Sequence, residues 1–553
     1  IEALALAARS DKYHVKAVKP LPRRKLYEKV PLMDCFTAPC KGGCPIQQDI
    51  PEYIELCRKG QYASALRLIT EKNPLPFITG TICAHRCQTK CTRNFYDQSV
   101  QIRATKLVAA EKGYDAYMTK VKAPVPVTDG RKVAVIGGGP TGMSAAYFVG
   151  RAGIPVTLFE RSDKLGGIVR HVIPAFRISD AAIDKDVALM EKMGVDVRLN
   201  TEAPSVAELK AQGYTHIFFA VGAWKAGKLD IPGNVVPVIG WLKNMKAGKA
   251  VSLGHVAVVG GGNTAMDAAR AALRTGAKSS TLVYRRTRKY MPADAEELEL
   301  AIADGVQFLE LVAPVEQKDG KLVCEKMKLG EPDAKGRRKP EPTGEFTEIA
   351  CDTVISAVGE KVESELFTAN GITVDERGIP DFKTNLEGVY VGGDAMRGPA
   401  TVVEGISDAQ GFSNAVIGSA YKFAIPGHAK ATRESAIAKK GILCESAKCE
   451  GDRCLTCNVV CQVCADVCPN RANVVIELPD GRRQILHVDR MCNECGNCAI
   501  FCPYDSAPYR DKFTLFKDGN GFSESEKNSG FLSLGGHKVL VRLNGKVLNV
   551  DLD

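Results

Sequence analysis

The feature that most constrains the fold is an apolar strand pattern followed by glycines at fixed spacing. Residues 133–136 are apolar, and Gly137, Gly139 and Gly142 follow as G-x-G-x-x-G before an alanine-rich helical pattern. A second apolar run then ends in Glu160. This order predicts a βαβ unit whose glycines let the backbone approach a pyrophosphate at a helix N-terminus, with the acid on the ribose hydroxyls. The first nucleotide site is therefore predicted to bind FAD.

The same pattern occurs a second time in the chain. Gly260 and Gly262 begin G-x-G-x-x-A after an apolar strand, and the next strand ends in Arg285 and Arg286 instead of an acid. Guanidinium groups bind a 2′-phosphate through charge-assisted hydrogen bonds, which predicts NADPH at this second site. The alternative for the two arginines is a solvated loop. The residues predicted to bind NADPH are Gly260, Gly262, Asn263, Thr264, Arg285 and Arg286.

A third glycine-rich stretch, at Gly392, Gly393 and Asp394, follows another short apolar run. Asp394 is placed to hydrogen-bond the ribityl or phosphate groups of a flavin, and the backbone at Thr401 and Val402 is placed to face its pyrimidine edge. Strand ends near Gly222 and Gly359 are where the chain is predicted to cross between two nucleotide domains. An FAD domain in two pieces, with the NADPH domain inserted between them, is the expected arrangement.

These motifs, in this order, resemble the pyridine nucleotide–disulfide oxidoreductase superfamily. "GGIVRHVIPAFRIS" and "VYRRTRKYMPADAEELELA" resemble the small subunit of NADPH-dependent glutamate synthase and the matching half of dihydropyrimidine dehydrogenase. Val172 stands where that family has glycine, and the redox C-x-x-C of dithiol reductases is missing from the nucleotide domains. With this resemblance, the residues expected to bind FAD are Gly137, Gly139, Gly142, Glu160, Arg161, Gly166, Gly167, Arg177, Gly222, Gly393, Asp394, Thr401 and Val402.

The cysteines near the C-terminal end resemble a bacterial ferredoxin with two [4Fe–4S] clusters. Cys492, Cys495, Cys498 and Cys502, which precedes a proline, fit C-x₂-C-x₂-C-x₃-C-P. In such pairs the fourth cysteine ligates the other cluster. The first predicted cluster is therefore held by Cys468, Cys492, Cys495 and Cys498. The second is held by Cys457, Cys461, Cys464 and Cys502.

Two points about these cysteines stay open in the sequence. Strict spacing would place a ligand at Asn458, so Cys457 is the candidate one residue upstream. Cys444, Cys449 and Cys454 are surplus; they are spare thiols, a replacement for Cys457, or part of a further centre. Zinc is the competing ligand for closely spaced cysteines.

A second cysteine group lies near the other end of the chain and resembles the N-terminal two-cluster domain of the same family. The resemblance implies one cluster at Cys35, Cys40 and Cys91, and another at Cys44, Cys83 and Cys87. The family's remaining ligands would fall at Leu32 and near Lys106, neither of which can ligate iron. Nearby residues of suitable chemistry are Asp34, His85 and Gln101, so one or two clusters are expected here.

Composition excludes several classes of protein. The twenty cysteines fall into two dense groups in a chain of 553 residues, unlike a short secreted disulfide scaffold. The two isolated cysteines, Cys324 and Cys351, are expected to be buried apolar fillers. The lack of a signal-peptide pattern or a long apolar run favours a cytoplasmic protein without a membrane span. The Lys and Arg residues that produce the net charge of +10 are scattered along the chain. This distribution favours a generally basic surface over a nucleic-acid site.

The predicted fold is a multidomain α/β protein with a helical iron–sulfur domain, two Rossmann-like domains and a ferredoxin-like 2×[4Fe–4S] domain. The chain starts at Ile1, which favours a processed chain or a piece of a larger one. The predicted domains are 1–125 (iron–sulfur), 126–250 (FAD, first part), 251–358 (NADPH), 359–430 (FAD, second part), 440–512 (ferredoxin-like) and 513–553 (a β-rich tail with a hairpin at Asn544-Gly545).

The predicted function is electron entry. Hydride passes from NADPH to FAD, and single electrons then pass through [4Fe–4S] clusters to an acceptor on another domain or subunit. The whole chain most resembles the flavoprotein half of selenate reductase subunits, which makes selenate or a heterocycle the expected substrate. Three alternatives remain open: an electron-bifurcating NADPH–ferredoxin transhydrogenase, a glutamate synthase small subunit, and a non-enzymatic electron carrier or scaffold.

Overall fold

A computed structural model of the chain describes residues 37–95, 97–249, 253–333, 338–418, 432–439, 449–459, 461–479, 483–525 and 528–553. These residues divide into two compact units. The first consists of the described parts of Thr70–Ala84 and Tyr114–Ala424. The second consists of the described parts of Pro22–Ile69, His85–Gly113 and Ile425–Asp553. The predicted boundary at residue 125 therefore does not coincide with this division.

The first unit contains two five-stranded parallel sheets. Its strands at the centre of each sheet are short and apolar because helices cover both faces of such sheets. The first sheet, in spatial order, is Val389–Val391, His216–Phe219, Val133–Ile136, Val156–Phe159 and Asp196–Arg198. The second is Val235–Pro237, Thr353–Ser356, His255–Val259, Ser279–Tyr284 and Gln307–Glu310. In sequence, the second sheet lies between the fourth and fifth strands of the first.

The two crossings between these sheets pair with one another. Lys225–Ala226 and Glu360–Lys361 form a two-stranded antiparallel ribbon. The amide of Gly227 donates to the carbonyl of Gly359 at 2.7 Å. A Cβ on Gly227 would lie 2.6 Å from that same oxygen, so the ribbon requires glycine at this position.

Helices surround the sheets of the first unit, and an antiparallel sheet that the sequence did not predict extends from the second one. That sheet consists of Val312–Lys318, Lys321–Pro332 and Arg338–Ala350. The helices, including one 3₁₀ turn at Arg288–Tyr290, are Pro76–Ile82, Pro140–Arg151, Gly167–His171, Asp180–Glu191, Val206–Ala211, Val238–Lys246, Asn263–Arg274, Ala295–Ala303, Ser364–Ala369, Asp394–Arg397 and Val402–Ile417.

The second unit combines short helices with one six-stranded mixed sheet. The sheet order is Asn473–Glu477, Arg483–Val488, Phe513–Leu515, Gly530–Gly535, Lys538–Leu543 and Lys546–Asp551. The helices, with 3₁₀ turns at Thr92–Phe95 and Asp489–Met491, are Pro39–Gly42, Ile50–Arg58, Tyr62–Thr70, Arg86–Thr89, Ile102–Met118, Arg433–Ile437, Glu450–Arg453, Val463–Asp466, Asn497–Ile500, Pro508–Asp511 and Gly519–Glu524.

The predicted terminal hairpin is confirmed. Lys538–Leu543 pairs with Lys546–Asp551 around Asn544 (φ 50°) and Gly545 (φ 77°), a left-handed pair that suits a two-residue turn. The sheet continues across the predicted 512/513 boundary, so the β-rich tail and the cysteine-bearing segment before it share one sheet. The isolated cysteines Cys324 and Cys351 are fully buried, as expected of apolar fillers.

Within the described ranges, no helix has the length and apolar character needed to cross a lipid bilayer.

The helix Pro76–Ile82 is fixed to the first unit by one buried carboxylate. Asp186 is fully buried and accepts hydrogen bonds from the amides of Phe77 (3.1 Å) and Ile78 (2.8 Å). These amides have no partner inside their own helix because they lie in its first turn.

Asp186→Ala is therefore expected to lower the free energy of unfolding of the first unit by about 2 kcal/mol, since it leaves two buried donors unsatisfied. Denaturant titration followed by fluorescence measures the loss. Glu191→Ala removes an exposed carboxylate from the same helix, Asp180–Glu191, and should change the midpoint little. Equal losses in both variants would contradict this account.

Candidate cofactor-binding sites

A cavity of about 340 Å³ opens at the carboxyl ends of the first sheet's strands. Parallel sheets bind nucleotides at this edge. Residues from several segments of the first unit line it, among them Gly137, Gly139, Thr141, Glu160, Arg161, Gly167, His171, Thr201, Pro204, Gly222, Trp224, Asp394, Thr401 and Val402. The loop after Asp196–Arg198, which supplies Thr201 and Pro204, was not predicted to line this cavity. Its position directly after a parallel strand would have indicated it, because such loops lie at the nucleotide-binding edge of the sheet.

The glycine fingerprint allows a very close approach of backbone to backbone. A Cβ on Gly142 would lie 1.9 Å from the carbonyl oxygen of Gly137, and one on Gly137 would lie 2.6 Å from that of Ala220. Gly139 is the N-cap of the helix Pro140–Arg151, whose first-turn amides face the cavity end of the strand. The backbone here can cradle a pyrophosphate.

Glu160 is held in place at the end of its strand. It is 8% exposed, and its two carboxylate oxygens accept from the amides of Gly138 and Ser162, each at 2.7 Å. The remaining lone pairs are available to ribose hydroxyls. Arg161, the next residue, lies over the ring of Trp224 with its guanidinium carbon 5.9 Å from the ring centre.

At the other end of the cavity, Asp394 begins a short helix. Its carboxylate accepts from the amide of Ala400 at 3.1 Å. Burial raises the pKa of Asp394 to about 7, and the carboxylates of Glu360, Glu404 and Asp408 add to the rise. The protonated group can donate a hydrogen bond to a ligand oxygen, which an ordinary aspartate cannot do.

Asp394 should give the cofactor-free protein a distinct pH dependence. The folded protein keeps the proton to a pH of about 7, whereas the unfolded chain releases it near pH 4. The folded state binds more protons in this window, so its stability falls as the pH rises from about 4 to about 7 and is level above.

Asp394→Asn should remove this pH-dependent destabilisation and leave the apoprotein more stable than wild type by roughly 4 kcal/mol at pH 7.5, with almost no difference at pH 4. Denaturation midpoints measured across this range check it. Asp163→Asn, at an exposed site in the same unit, is the matched control and should retain the wild-type slope. Parallel slopes for wild type and Asp394→Asn would contradict the assignment.

The helix Val402–Ile417 also begins at the cavity. Thr401 caps it reciprocally with Glu404: the threonine hydroxyl accepts from the Glu404 amide, and the glutamate accepts from the Thr401 amide at 3.0 Å. Gly393, with φ 66°, donates its amide to Asp408 at 2.9 Å. The predicted backbone contacts at Thr401 and Val402 therefore lie at a helix N-terminus beside the cavity.

The "GGIVRHVIPAFRIS" segment lines the cavity at its start and contacts helices of the second sheet at its end. Gly166 (φ 121°) and Gly167 (φ 53°) adopt conformations that favour glycine. Val172 is buried with φ −123°, so nothing in its backbone requires the glycine of the family pattern. Arg177, which is predicted to bind FAD, pairs with Asp267 (2.7 Å) and Glu297 (2.5 Å) on helices of the second sheet.

The second sheet carries the predicted NADPH residues at its carboxyl edge. A Cβ on Gly260 would lie 2.3 Å from the carbonyl oxygen of Ala357, and Gly262 caps the helix Asn263–Arg274. The Asn263 side chain accepts from the Asp294 amide at 3.0 Å, and Thr264 hydrogen-bonds Glu360.

The two arginines differ in their surroundings. Arg285 is exposed at the end of Ser279–Tyr284, whereas Nε of Arg286 donates to the carbonyl of Arg338 at 3.1 Å. Arg285 is therefore the one with a side chain available to a 2′-phosphate, while Arg286 is partly engaged with the antiparallel sheet.

In the second unit, the predicted first ferredoxin group lies around one cavity. It is lined by Cys468, Cys492, Cys495 and Cys498, together with Asn473 and His487. The amide of Ala472 donates to the sulfur of Cys468 at 3.2 Å, and that of Glu494 to Cys492 at 3.3 Å. Amide hydrogen bonds to sulfur are typical of cluster ligands.

The predicted second ferredoxin group is only partly assembled. Cys461, Cys464 and Cys502 are buried together with Cys498, Ile485 and Tyr504. Cys457, predicted to join them, lines a different cavity with Cys40, Cys91 and Cys454. Cys454 was not assigned to a cluster from the sequence. Its C-x-x-C spacing to Cys457 could have indicated that the two cysteines ligate the same centre.

The remaining N-terminal candidates are distributed more widely. Cys44 and Cys87 pack against the apolar core of the second unit, as does Cys57. Cys83 belongs to the first unit. Cys35, Asp34 and Leu32 lie outside the described residues, as does Cys444.

The non-cysteine positions considered for the N-terminal clusters lie in different surroundings. Lys106 is buried in the helix Ile102–Met118, Gln101 donates its amide to Glu450 at 2.8 Å, and His85 has φ 35°. In the part of the chain that the structure describes, no three His, Cys, Asp or Glu side chains converge enough to hold a single metal ion. Cluster ligands are spaced more widely, because four irons and four sulfides lie between them.

Two family profiles match the chain. Residues 131–409 match the pyridine nucleotide–disulphide oxidoreductases, and residues 27–116 match the 4Fe-4S cluster domain II of dihydropyrimidine dehydrogenase. Both resemblances predicted from the motifs are thereby confirmed, as is the mixed α/β class.

Curated relatives cover the chain at 30–42% identity. The oxidoreductase YgfK of Escherichia coli K12 is 42% identical over all of this chain and 56% of its own length. The NADPH-Fe(3+) oxidoreductase subunit beta of Geobacter sulfurreducens is 37% identical over 68% of this chain and 63% of its own length. The glutamate synthase [NADPH] small chain of E. coli K12 is 30% identical over 68% of this chain and 87% of its own. The chain thus spans 56% to 63% of the length of YgfK and the Geobacter subunit.

Proposed function

This chain belongs to the pyridine nucleotide–disulphide oxidoreductase family, and we propose that it takes electrons from NADPH and delivers them through FAD and [4Fe–4S] clusters to an acceptor on another domain or subunit. Membership makes it an NAD(P)H-dependent oxidoreductase with FAD and a 4Fe-4S domain. The single observation that carries the proposal is the cavity with Glu160 at one end and Asp394 at the other, beside a second nucleotide sheet.

The donor set of the cavity fits FAD. Glu160 binds the ribose hydroxyls of the adenosine half, and the helix at Gly139 binds the pyrophosphate. Asp394 and the backbone at Thr401 bind the flavin half. FAD held by these residues would supply hydride acceptance and one-electron release, and clusters held by the cysteines would supply single-electron transfer.

The chain's own residues select and orient the donor. Arg285 binds the 2′-phosphate of NADPH, and the helix that starts at Asn263 binds its pyrophosphate. The ion pairs of Arg177 with Asp267 and Glu297 join the flavin-side loop to helices of the second sheet. They hold the two nucleotide sites in register.

We propose a ferredoxin-like domain at 440–512 whose group of Cys468, Cys492, Cys495 and Cys498 holds one [4Fe–4S] cluster. Cluster ligation needs many closely spaced cysteines to stay reduced. This requirement supports the expected cytoplasmic setting. The relatives named as subunit beta and small chain support an acceptor on a separate subunit. Selenate or a heterocycle remains the proposed final substrate.

Anaerobic stopped-flow mixing with NADPH tests the function. We expect the flavin absorbance to bleach within one turnover and EPR signals of reduced clusters to follow. A flavin that stays oxidised at saturating NADPH and NADH would identify a cofactor-binding scaffold and reject the proposal.

A second candidate, the small subunit of a glutamate synthase, is favoured by the 87% coverage of that relative. Addition of a glutamate synthase large subunit, glutamine and 2-oxoglutarate should then yield glutamate at the expense of NADPH. Oxidation of NADPH by an artificial acceptor, with no glutamate formed, would exclude this candidate and leave the first.

A further inference from the structure

Four cysteines that the sequence placed in three different groups line one cavity of the second unit. They are Cys40, Cys91, Cys454 and Cys457. The other walls are mostly apolar and include Ile50, Ile54, Val100 and Ile102. The site therefore offers four soft donors in a dry surrounding, the donor chemistry of an iron–sulfur cluster.

The thiols are close enough to influence one another. Burial raises the pKa of Cys40 well above its usual range, and the neighbouring thiols of Cys91, Cys454 and Cys457 add to the rise. Burial also raises the pKa of Cys454 to about 12 and that of Cys91 to about 11.

Backbone amides are already directed at the sulfurs. Val100 and Arg93 donate amide hydrogen bonds to Cys91, and Thr456 donates one to Cys454. Thr456 has φ 50°, a left-handed turn between the two cysteines of C-x-x-C. Amide donors of this kind stabilise the sulfur of a cluster ligand.

The segment that carries Cys454 and Cys457 is anchored on both sides. Arg453, 8% exposed, donates to the carbonyl of Gln98 at 2.7 Å and pairs with Asp97 at 3.3 Å. After the cysteines, the side-chain amide of Asn458 donates to Glu52 at 2.8 Å. These contacts fix both thiols against the helix Ile50–Arg58 and the loop after Cys91.

We propose that Cys40, Cys91, Cys454 and Cys457 together ligate one [4Fe–4S] cluster. The C-x-x-C at 454–457 then supplies the two ligands that the N-terminal family pattern would take from Leu32 and Cys35. This inference rests on one part of the proposed function, namely that the chain binds iron–sulfur clusters. Two consequences follow: Cys35 is not a ligand of this cluster, and Cys457 is not a ligand of the Cys461, Cys464 and Cys502 group.

The test compares single alanine substitutions in the full chain purified without oxygen. Cys454→Ala and Cys457→Ala should each lose about four iron atoms and four sulfides per chain, together with one EPR component of the dithionite-reduced protein. Cys35→Ala and the exposed Cys449→Ala should keep the wild-type content. Loss in Cys35→Ala with retention in Cys454→Ala and Cys457→Ala would overturn the proposal, as would zinc in place of iron.

A second measurement needs no variant and so does not depend on folding. Native wild-type protein is alkylated with iodoacetamide before and after iron removal by a chelator, and each cysteine is quantified by mass spectrometry. We expect the exposed Cys449 to react at once and the four proposed ligands to react only after iron removal. Reactivity of Cys454 and Cys457 that is independent of iron would overturn the inference. Flavin bleaching by NADPH, recorded on the same preparation, reports the proposed function separately.

Discussion

Gly142→Ala is expected to raise the dissociation constant for FAD by about 100-fold or more, which corresponds to roughly 3 kcal/mol of binding free energy. The added Cβ would lie 1.9 Å from the Gly137 carbonyl oxygen, a distance that no side-chain rotation relieves. The helix Pro140–Arg151 must therefore move away from its strand, and its first-turn amides move away from the pyrophosphate. Flavin content after gel filtration, and titration of the apoprotein with FAD, measure the loss.

Gly240→Ala is the matched control for this variant. Gly240 lies in the helix Val238–Lys246, and a Cβ added to it would meet no atom within 4 Å, so alanine should be accommodated without a change in FAD affinity. Alanine also favours a helix over glycine. Full flavin occupancy in Gly142→Ala would show that this glycine does not set the helix–strand distance.

The second large effect concerns the choice of nucleotide. Arg285→Ala is expected to lower kcat/KM for NADPH by about 10–100-fold and to leave the value for NADH nearly unchanged. One charge-assisted hydrogen bond to a 2′-phosphate contributes about 1.5–3 kcal/mol, and NADH has no such phosphate. Because Arg285 is exposed at a strand end, its removal leaves no buried group unsatisfied. Initial rates with an artificial acceptor under both nucleotides measure the ratio.

Arg198→Ala provides the control, because Arg198 also ends a parallel strand but in the first sheet. Its nucleotide preference should match that of the wild type. A wild-type enzyme that prefers NADH, or an Arg285→Ala variant that loses both nucleotides equally, would contradict a 2′-phosphate site at Arg285.

The sequence predicted those parts of the fold whose structure is determined by residues close together in the chain. The strand–glycine–helix units around Gly137 and Gly260 were predicted because both the period and the glycine spacing are set within about 30 residues. The hairpin at Asn544-Gly545 was predicted for the same reason. The group of Cys468 with Cys492, Cys495 and Cys498 follows from a motif with fixed spacing, and the structure brings those four side chains to one cavity.

What could not be predicted depends on contacts between distant segments. Nothing near Cys454 reveals that it meets Cys40 and Cys91, because that contact depends on distant segments. Arg453 docks onto the loop at Gln98, 355 residues earlier, and Asn458 docks onto the helix that holds Glu52, 406 residues earlier. Arg177 matched a flavin motif, yet its partners are Asp267 and Glu297. The strand Arg338–Ala350 is mostly exposed and largely polar, so its pattern carries little hydrophobic period.

The ribbon of Lys225–Ala226 and Glu360–Lys361 has a mechanical consequence. Both covalent links between the two nucleotide sheets pass through it side by side, joined by the Gly227–Gly359 hydrogen bond. Two links at one place permit torsion about the ribbon but resist sliding and separation. A substitution at Gly227 would disturb both links at once, and we expect it to change how often the two nucleotide sites face each other.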